Sequence, residues 1–139
     1  MITSPVIVNA VDLSAFQHMV DLGGATGHWT IAACERYHHL RGTVFDLPQA
    51  IPLAEEMIRA SSASKRIQFA AGDFFADPLP AGDLYALGRI LHDWTESKIR
   101  QLLSKVYEAL PVGGAVMIGE KILDETLSGP RWATLQDIN

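Results

Sequence analysis

The chain has 139 residues, 48% apolar and 19% charged, with a formal net charge of −5. That length fits a single hydrophobic core, and the balance is that of a folded domain rather than a disordered one. The acidic balance, with no gathered Lys/Arg face, excludes the usual nucleic-acid binder; no apolar run reaches the ~20 residues of a membrane span, and the opening MITSPVIVNA has no secretory pattern.

The expected partner is therefore a small molecule, and the expected location the cytoplasm. Cys34 is the single cysteine, which leaves no partner for an internal disulfide or a Cys-based metal site and reads as helix packing.

In chain order, the short apolar run MVDL (19–22) ends in a glycine cluster. The segment 28–39 then spaces Trp29, Ala33 and Tyr37 as on one helix face. TVFD (43–46) reads as a second strand. Pro48 suits the first turn of a helix whose apolar face is Ile51, Ala54, Met57 and Ile58, and SSAS (61–64) breaks that pattern. IQFA (67–70) is a third strand, followed by a loop rich in proline and glycine. DLYALGRIL (83–91) is too continuously apolar for a half-exposed strand and predicts the buried centre of a parallel sheet. Thr95 is placed to cap a helix with Ile99, Leu102, Leu103, Val106 and Leu110 on one face; PVGG stops it, and AVMIGE (115–120) is a fifth strand. Strands alternating with helices predict a three-layer α/β fold with right-handed crossovers. After a polar loop, 130–139 opens a helical pattern that the sequence leaves unfinished, so the chain reads as a partial domain.

The turn VDLGGATG (20–27) carries the first chemical signal. Glycines between strand and helix let backbone amides approach a ligand. The dinucleotide fingerprint G-x-G-x-x-G fails here, because Ala25 and His28 stand where its second and third glycines belong. Asp21, just before the turn, would repel a pyrophosphate but attract the ammonium end of an amino-acid-like cofactor such as S-adenosylmethionine (SAM). Asp46, 19 residues after Gly27, is placed to accept ribose hydroxyls. Asp73 in GDFF can accept an adenine amine while Phe74 stacks on the ring. Taken singly, each aspartate reads equally well as a turn residue; three successive strand ends together point to a nucleoside-like ligand.

RILHDW places Arg89, His92, Asp93 and Trp94 at the end of the fourth strand. Methyl transfer to a hydroxyl needs a base, and histidine titrates near neutrality. His92 is the candidate base, with Asp93 or Glu120 orienting it. Trp94 either walls an acceptor pocket or packs under the next helix; Arg89 either meets a ligand carboxylate or pairs with an acid. His18, His28, His38 and His39 do not sit at a strand's carboxyl end and read as structural. No metal-ligand cluster stands out, Asp93 and Glu120 being the one improvised pair.

With VDLGGATG, FDLP, GDFF, GRILHDW and GEKILDE in this order, the chain resembles the hydroxyindole and caffeate type of class I SAM-dependent O-methyltransferases, the group that includes the acetylserotonin O-methyltransferases. The resemblance runs from about Val11 to Asn139. It implies a Rossmann-like methyltransferase sheet, SAM as cofactor and a small aromatic or polyketide-like hydroxyl acceptor. It also implies cofactor contacts at Gly23, Asp46, Leu47, Asp73, Phe74 and Arg89, with His92 as base and Glu120 supporting it. Asp93 and Asn139 would face the acceptor. Family members are expected to be homodimers through an amino-terminal helical domain, which has no counterpart here, and the final antiparallel strands are also missing; without those strands the fifth strand would be an exposed edge. Ala25 departs from the family's third turn glycine, a change tolerated if its φ is not positive. Two other functions compete: a SAM-binding or fold-only fragment without catalysis, and a nicotinamide-dependent reductase. Ligand titration separates them.

Overall fold

The computed structural model describes residues 4–120. Five strands, β1 (His18–Leu22), β2 (Arg41–Asp46), β3 (Ile67–Ala71), β4 (Leu84–Gly88) and β5 (Ala115–Gly119), form one parallel sheet in the order β3-β2-β1-β4-β5. The chain winds outward from β1 in one direction and then restarts at β4 in the other. The strand order reverses between β1 and β4, the place where open α/β sheets bind ligands outside their carboxyl ends.

Alternation along the strands separates two cores. Met19, Val44, Leu84, Ala86 and Met117 pack with Val8, Ala33, Cys34, Ala54 and Ile58 from α1 (Ser4–Ala10), α2 (His28–Arg36) and α3 (Ile51–Arg59). Val20, Leu22, Phe45, Tyr85 and Leu87 turn the other way onto Leu102 and Val106 of α4 (Glu96–Ala109). Both faces of β1 and β4 are thus covered, which is why β4 is apolar without a break and β1 is so apart from His18 and Asp21. Cys34 is wholly buried, and its surroundings push the thiol up to about 11. No helix among the described residues is long and apolar enough to cross a membrane.

Several sequence expectations shift. The segment 4–10 forms a helix where none was predicted; Val8, 1% exposed, buries its apolar side, so tertiary contact overrides a β-branched composition. The helix begun at His28 stops at Arg36 because Tyr37 turns extended, with φ −110. Pro48 lies ahead of its helix; α3 starts at Ile51, and Pro52 occupies its first turn. The central position belongs to β1, with β4 beside it, and β4 ends at Gly88 because Arg89 has φ 58. Leu91–Asp93 is a single 3-10 turn. Thr95 caps α4 as expected, its side chain accepting the Lys98 N–H. Among the described residues β5 is an edge strand, with Val116 and Ile118 40% and 45% exposed. The predicted helix over 130–139, and Asn139 with it, lies outside the described residues.

Candidate active site

The first turn leaves β1 through Gly23, whose N–H donates to the Phe45 carbonyl at 2.8 Å and whose φ is +66. Gly23 is a waist. Two cavities open on either side of it, and among the described residues it is the one that lines both. A Cβ there would come within 3.2 Å of Ile90 Cγ2 and 3.4 Å of Phe74 Cε1, so any side chain would press on the wall of the smaller cavity as well as strain the backbone.

The smaller cavity, about 250 Å³, is lined by Asp46 and Leu47 after β2, Gly72 to Phe75 after β3, and Ile90, Asp93 and Trp94 after β4. Asp46 Oδ2 accepts the Ala25 N–H at 2.8 Å and its Oδ1 accepts the Leu47 N–H at 2.7 Å, which ties the end of β2 to the glycine turn. Asp73 Oδ1 accepts the Phe75 N–H at 2.8 Å and so fixes the turn that presents Phe74. The aromatic wall is edge-on throughout: ring centroids of Phe75 and Trp94 are 4.7 Å apart, and those of Phe74 and Phe75 4.9 Å. Trp94 therefore both packs and lines the cavity.

The larger cleft, about 900 Å³ and open, is lined by Asp21, the glycine turn, His28 and Trp29 at the start of α2, and Gly88, Arg89 and His92. Asp21 is 2% exposed and its Oδ2 accepts the Thr30 hydroxyl at 2.9 Å. A Cβ on Gly24 would fall 2.8 Å from Asp21 Cγ, so the turn lies directly on this carboxyl. Burial pushes the Asp21 carboxyl up to about 6, with Thr30 opposing and the Asp46 charge adding to the rise. Arg89 is exposed and, among the described residues, has no ion-pair partner.

His92 stands between two acids. Its Nδ1 is 3.0 Å from Glu120 Oε2, and its Nε2 is 3.4 Å from Asp93 Oδ1. Glu120 also accepts the Leu91 N–H on Oε1 at 2.8 Å, so one carboxylate holds both the backbone and the ring. Both neighbours of the ring are carboxylates, which only accept, so either ring nitrogen can donate to one of them.

The structure thus brings Gly23, Asp46, Leu47, Asp73, Phe74 and Asp93 to one cavity and Asp21, Arg89 and His92 to the cleft beside it, with Glu120 behind His92. Trp29, which the sequence spaces with Ala33 and Tyr37 on a helix face, lies over the carboxyl ends of β4 and β5, where a Cβ on Gly119 would meet its ring at 2.1 Å. Nothing in its helical spacing marked it as lining the cleft. Ala25 has φ 47, so the condition under which its methyl is tolerated is not met.

Comparison with known proteins identifies the family. The profile of the O-methyltransferase domain matches residues 1–139. The chain belongs to this O-methyltransferase family. A 3-hydroxy-5-methyl-1-naphthoate 3-O-methyltransferase of Streptomyces sahachiroi is 45% identical over 139 residues, covering 99% of this chain and 40% of the relative. Acetylserotonin O-methyltransferase of Bos taurus is 41% identical over 133 residues, covering 96% and 38%. The crystal structure of human N-acetylserotonin methyltransferase in complex with SAM superposes with a TM-score of 0.86 at 39% identity, covering 95% of this chain and 37% of that one. The chain thus spans about 40% of the length of the curated O-methyltransferases it matches.

Proposed function

We propose that residues 1–139 are the SAM-binding part of a methyltransferase that methylates a hydroxyl oxygen on a small aromatic or polyketide-like acceptor. The observation that carries this reading is the waist at Gly23, which lines both an aromatic and carboxylate cavity and a cleft containing a carboxylate-held histidine. A solved relative that holds SAM, and relatives named for O-methylation of a naphthoate and of acetylserotonin, support it.

The residues fit the cofactor by type. Asp73 and Phe74 suit the adenine, Asp46 and Leu47 the ribose, and Gly23, Asp21 and Arg89 the amino-acid end, where a carboxyl and a guanidinium match an ammonium and a carboxylate. When bound, SAM supplies an electrophilic methyl group on a sulfonium.

His92 does the protein's part of the chemistry. A neutral hydroxyl is a poor nucleophile, so removal of its proton by Nε2 creates the attacking oxyanion. Glu120 orients the ring through Nδ1 and stabilises the imidazolium that results. Asp93, beside Nε2, lines the smaller cavity, and its assignment to the acceptor rests on the family resemblance. Asn139 is assigned to the acceptor by sequence alone.

The test is transfer of radiolabelled methyl from SAM to a panel of phenols and naphthols. Labelling by the wild type, and its fall by roughly 10²–10⁴ in His92→Ala, is expected for a lost general base; unchanged labelling would remove His92 from that role. The strained Ala25 favours one second reading, a chain that binds SAM without turnover. Bound cofactor with no labelled product would identify it.

A further inference from the structure

Lys105, half-buried on α4, donates from Nζ to the carbonyl of Phe74 at 2.8 Å and to that of Asp77 at 2.6 Å. Among the described residues no carboxylate lies within ion-pair distance of it. Both carbonyls belong to the turn 73–77, which closes on itself without help. Ala76 and Asp77 N–H groups donate to the Asp73 carbonyl, the Asp73 N–H donates to Asp77 Oδ2, and the Phe75 N–H to Asp73 Oδ1. Lys105 therefore contributes little to the turn's shape. What it sets is the turn's place against α4.

That place matters because Phe74 lines the smaller cavity and comes within reach of the Gly23 waist. A cation held by two peptide carbonyls is a charge-assisted tie, shorter and stronger than a neutral one. We propose that Lys105 is a positioning residue for the cofactor's adenine, fixing the 73–77 turn so that Asp73 and Phe74 stand at the cavity wall; this rests on the reading of that cavity as the adenosine site.

The test measures dissociation constants of S-adenosylhomocysteine and of 5′-methylthioadenosine, which lacks the amino-acid end, for wild type, Lys105→Met, Lys105→Arg and Leu84→Ala. Lys105→Met weakens both ligands by roughly tenfold, the scale of one charge-assisted hydrogen bond, and Lys105→Arg regains most of the loss. Leu84→Ala, a buried change at the amino end of β4 in the core on the other face of the sheet, lowers the unfolding temperature but leaves both constants within about twofold. Should Lys105→Met not fold, Lys105→Gln is expected to show the same loss. Unchanged binding in the Lys105 variants, failure of Lys105→Arg to restore it, or an equal loss in Leu84→Ala would overturn the positioning role. If the wild type binds neither ligand, the adenosine-site reading itself fails, and the proposal with it.

Discussion

Glu120 grips the turn after β4 at two points, the Nδ1 of His92 at 3.0 Å and the Leu91 N–H at 2.8 Å, so the ring and the backbone beneath it move as one. The carboxylate comes from the end of β5 and the histidine from the end of β4, adjacent strands in the sheet. Strand pairing therefore fixes the geometry of the His92–Glu120 pair. Glu120→Gln retains an acceptor for Leu91 but no longer stabilises a charged imidazole. Methyl transfer is expected to fall by roughly tenfold to a hundredfold with cofactor affinity within about twofold, as for a residue that supports a general base. Steady-state kinetics beside ligand titration check it, and a loss confined to affinity would assign Glu120 to the cofactor instead.

Gly23 admits no side chain without cost. Gly23→Val puts a β-branched residue at φ +66 and pushes it onto Ile90 and Phe74. The expected result is loss of cofactor binding together with a fall in stability of about 1–2 kcal/mol or more, the cost of a left-handed conformation in a branched residue. Thermal unfolding and titration on the same samples measure both. Retained binding would mean that the two cavities do not act as one site.

Ala25 and Arg89 are the non-glycine residues with positive φ among the described residues, at 47 and 58, and both line the larger cleft. Strain concentrated at the cleft is expected of a functional site. Ala25→Gly relieves part of it and is predicted to stabilise the chain by about 0.5–1 kcal/mol, with cofactor affinity equal or higher. Denaturant unfolding decides the point; a destabilised variant would contradict the backbone assignment.

The layout was legible in the sequence wherever a residue sits at the end of an apolar run. Asp21, Asp46, Asp73 and His92 each follow such a run, and the sheet delivers them to one edge. What the sequence hid is what depends on pairing in space. The seven residues of α1 are too few and too β-branched to announce a helix, and only burial of Val8 makes one. The bond from the Ala25 N–H to Asp46, the left-handed turn at Arg89 that ends β4 early, and Trp29 lying over Gly119 all arise from neighbours distant in sequence. No local spacing encodes them.

Asp21 gives the fold a dependence on pH. Its folded value, raised to about 6 from 3.8, lies above its unfolded one, so its contribution favours folding in acid and is lost as pH rises through 6. At about 1.4 kcal/mol per unit the loss is on the order of 1–3 kcal/mol. Asp21→Asn removes it. The variant is expected to be more stable than wild type at pH 7.5, with the gain vanishing near pH 4, while cofactor affinity falls if, as proposed, this carboxyl meets the ammonium end. Denaturant unfolding at the two pH values checks the sign; a gain that persists at pH 4 would rule out titration as the cause.

Whether the two cavities meeting at Gly23 form one SAM site is decided by calorimetric titration of the chain with S-adenosylhomocysteine, with NADH in parallel. Saturable one-to-one binding of S-adenosylhomocysteine, abolished by Gly23→Val and absent for NADH, is expected if they do. No heat with S-adenosylhomocysteine, or saturable binding of NADH, would contradict that reading.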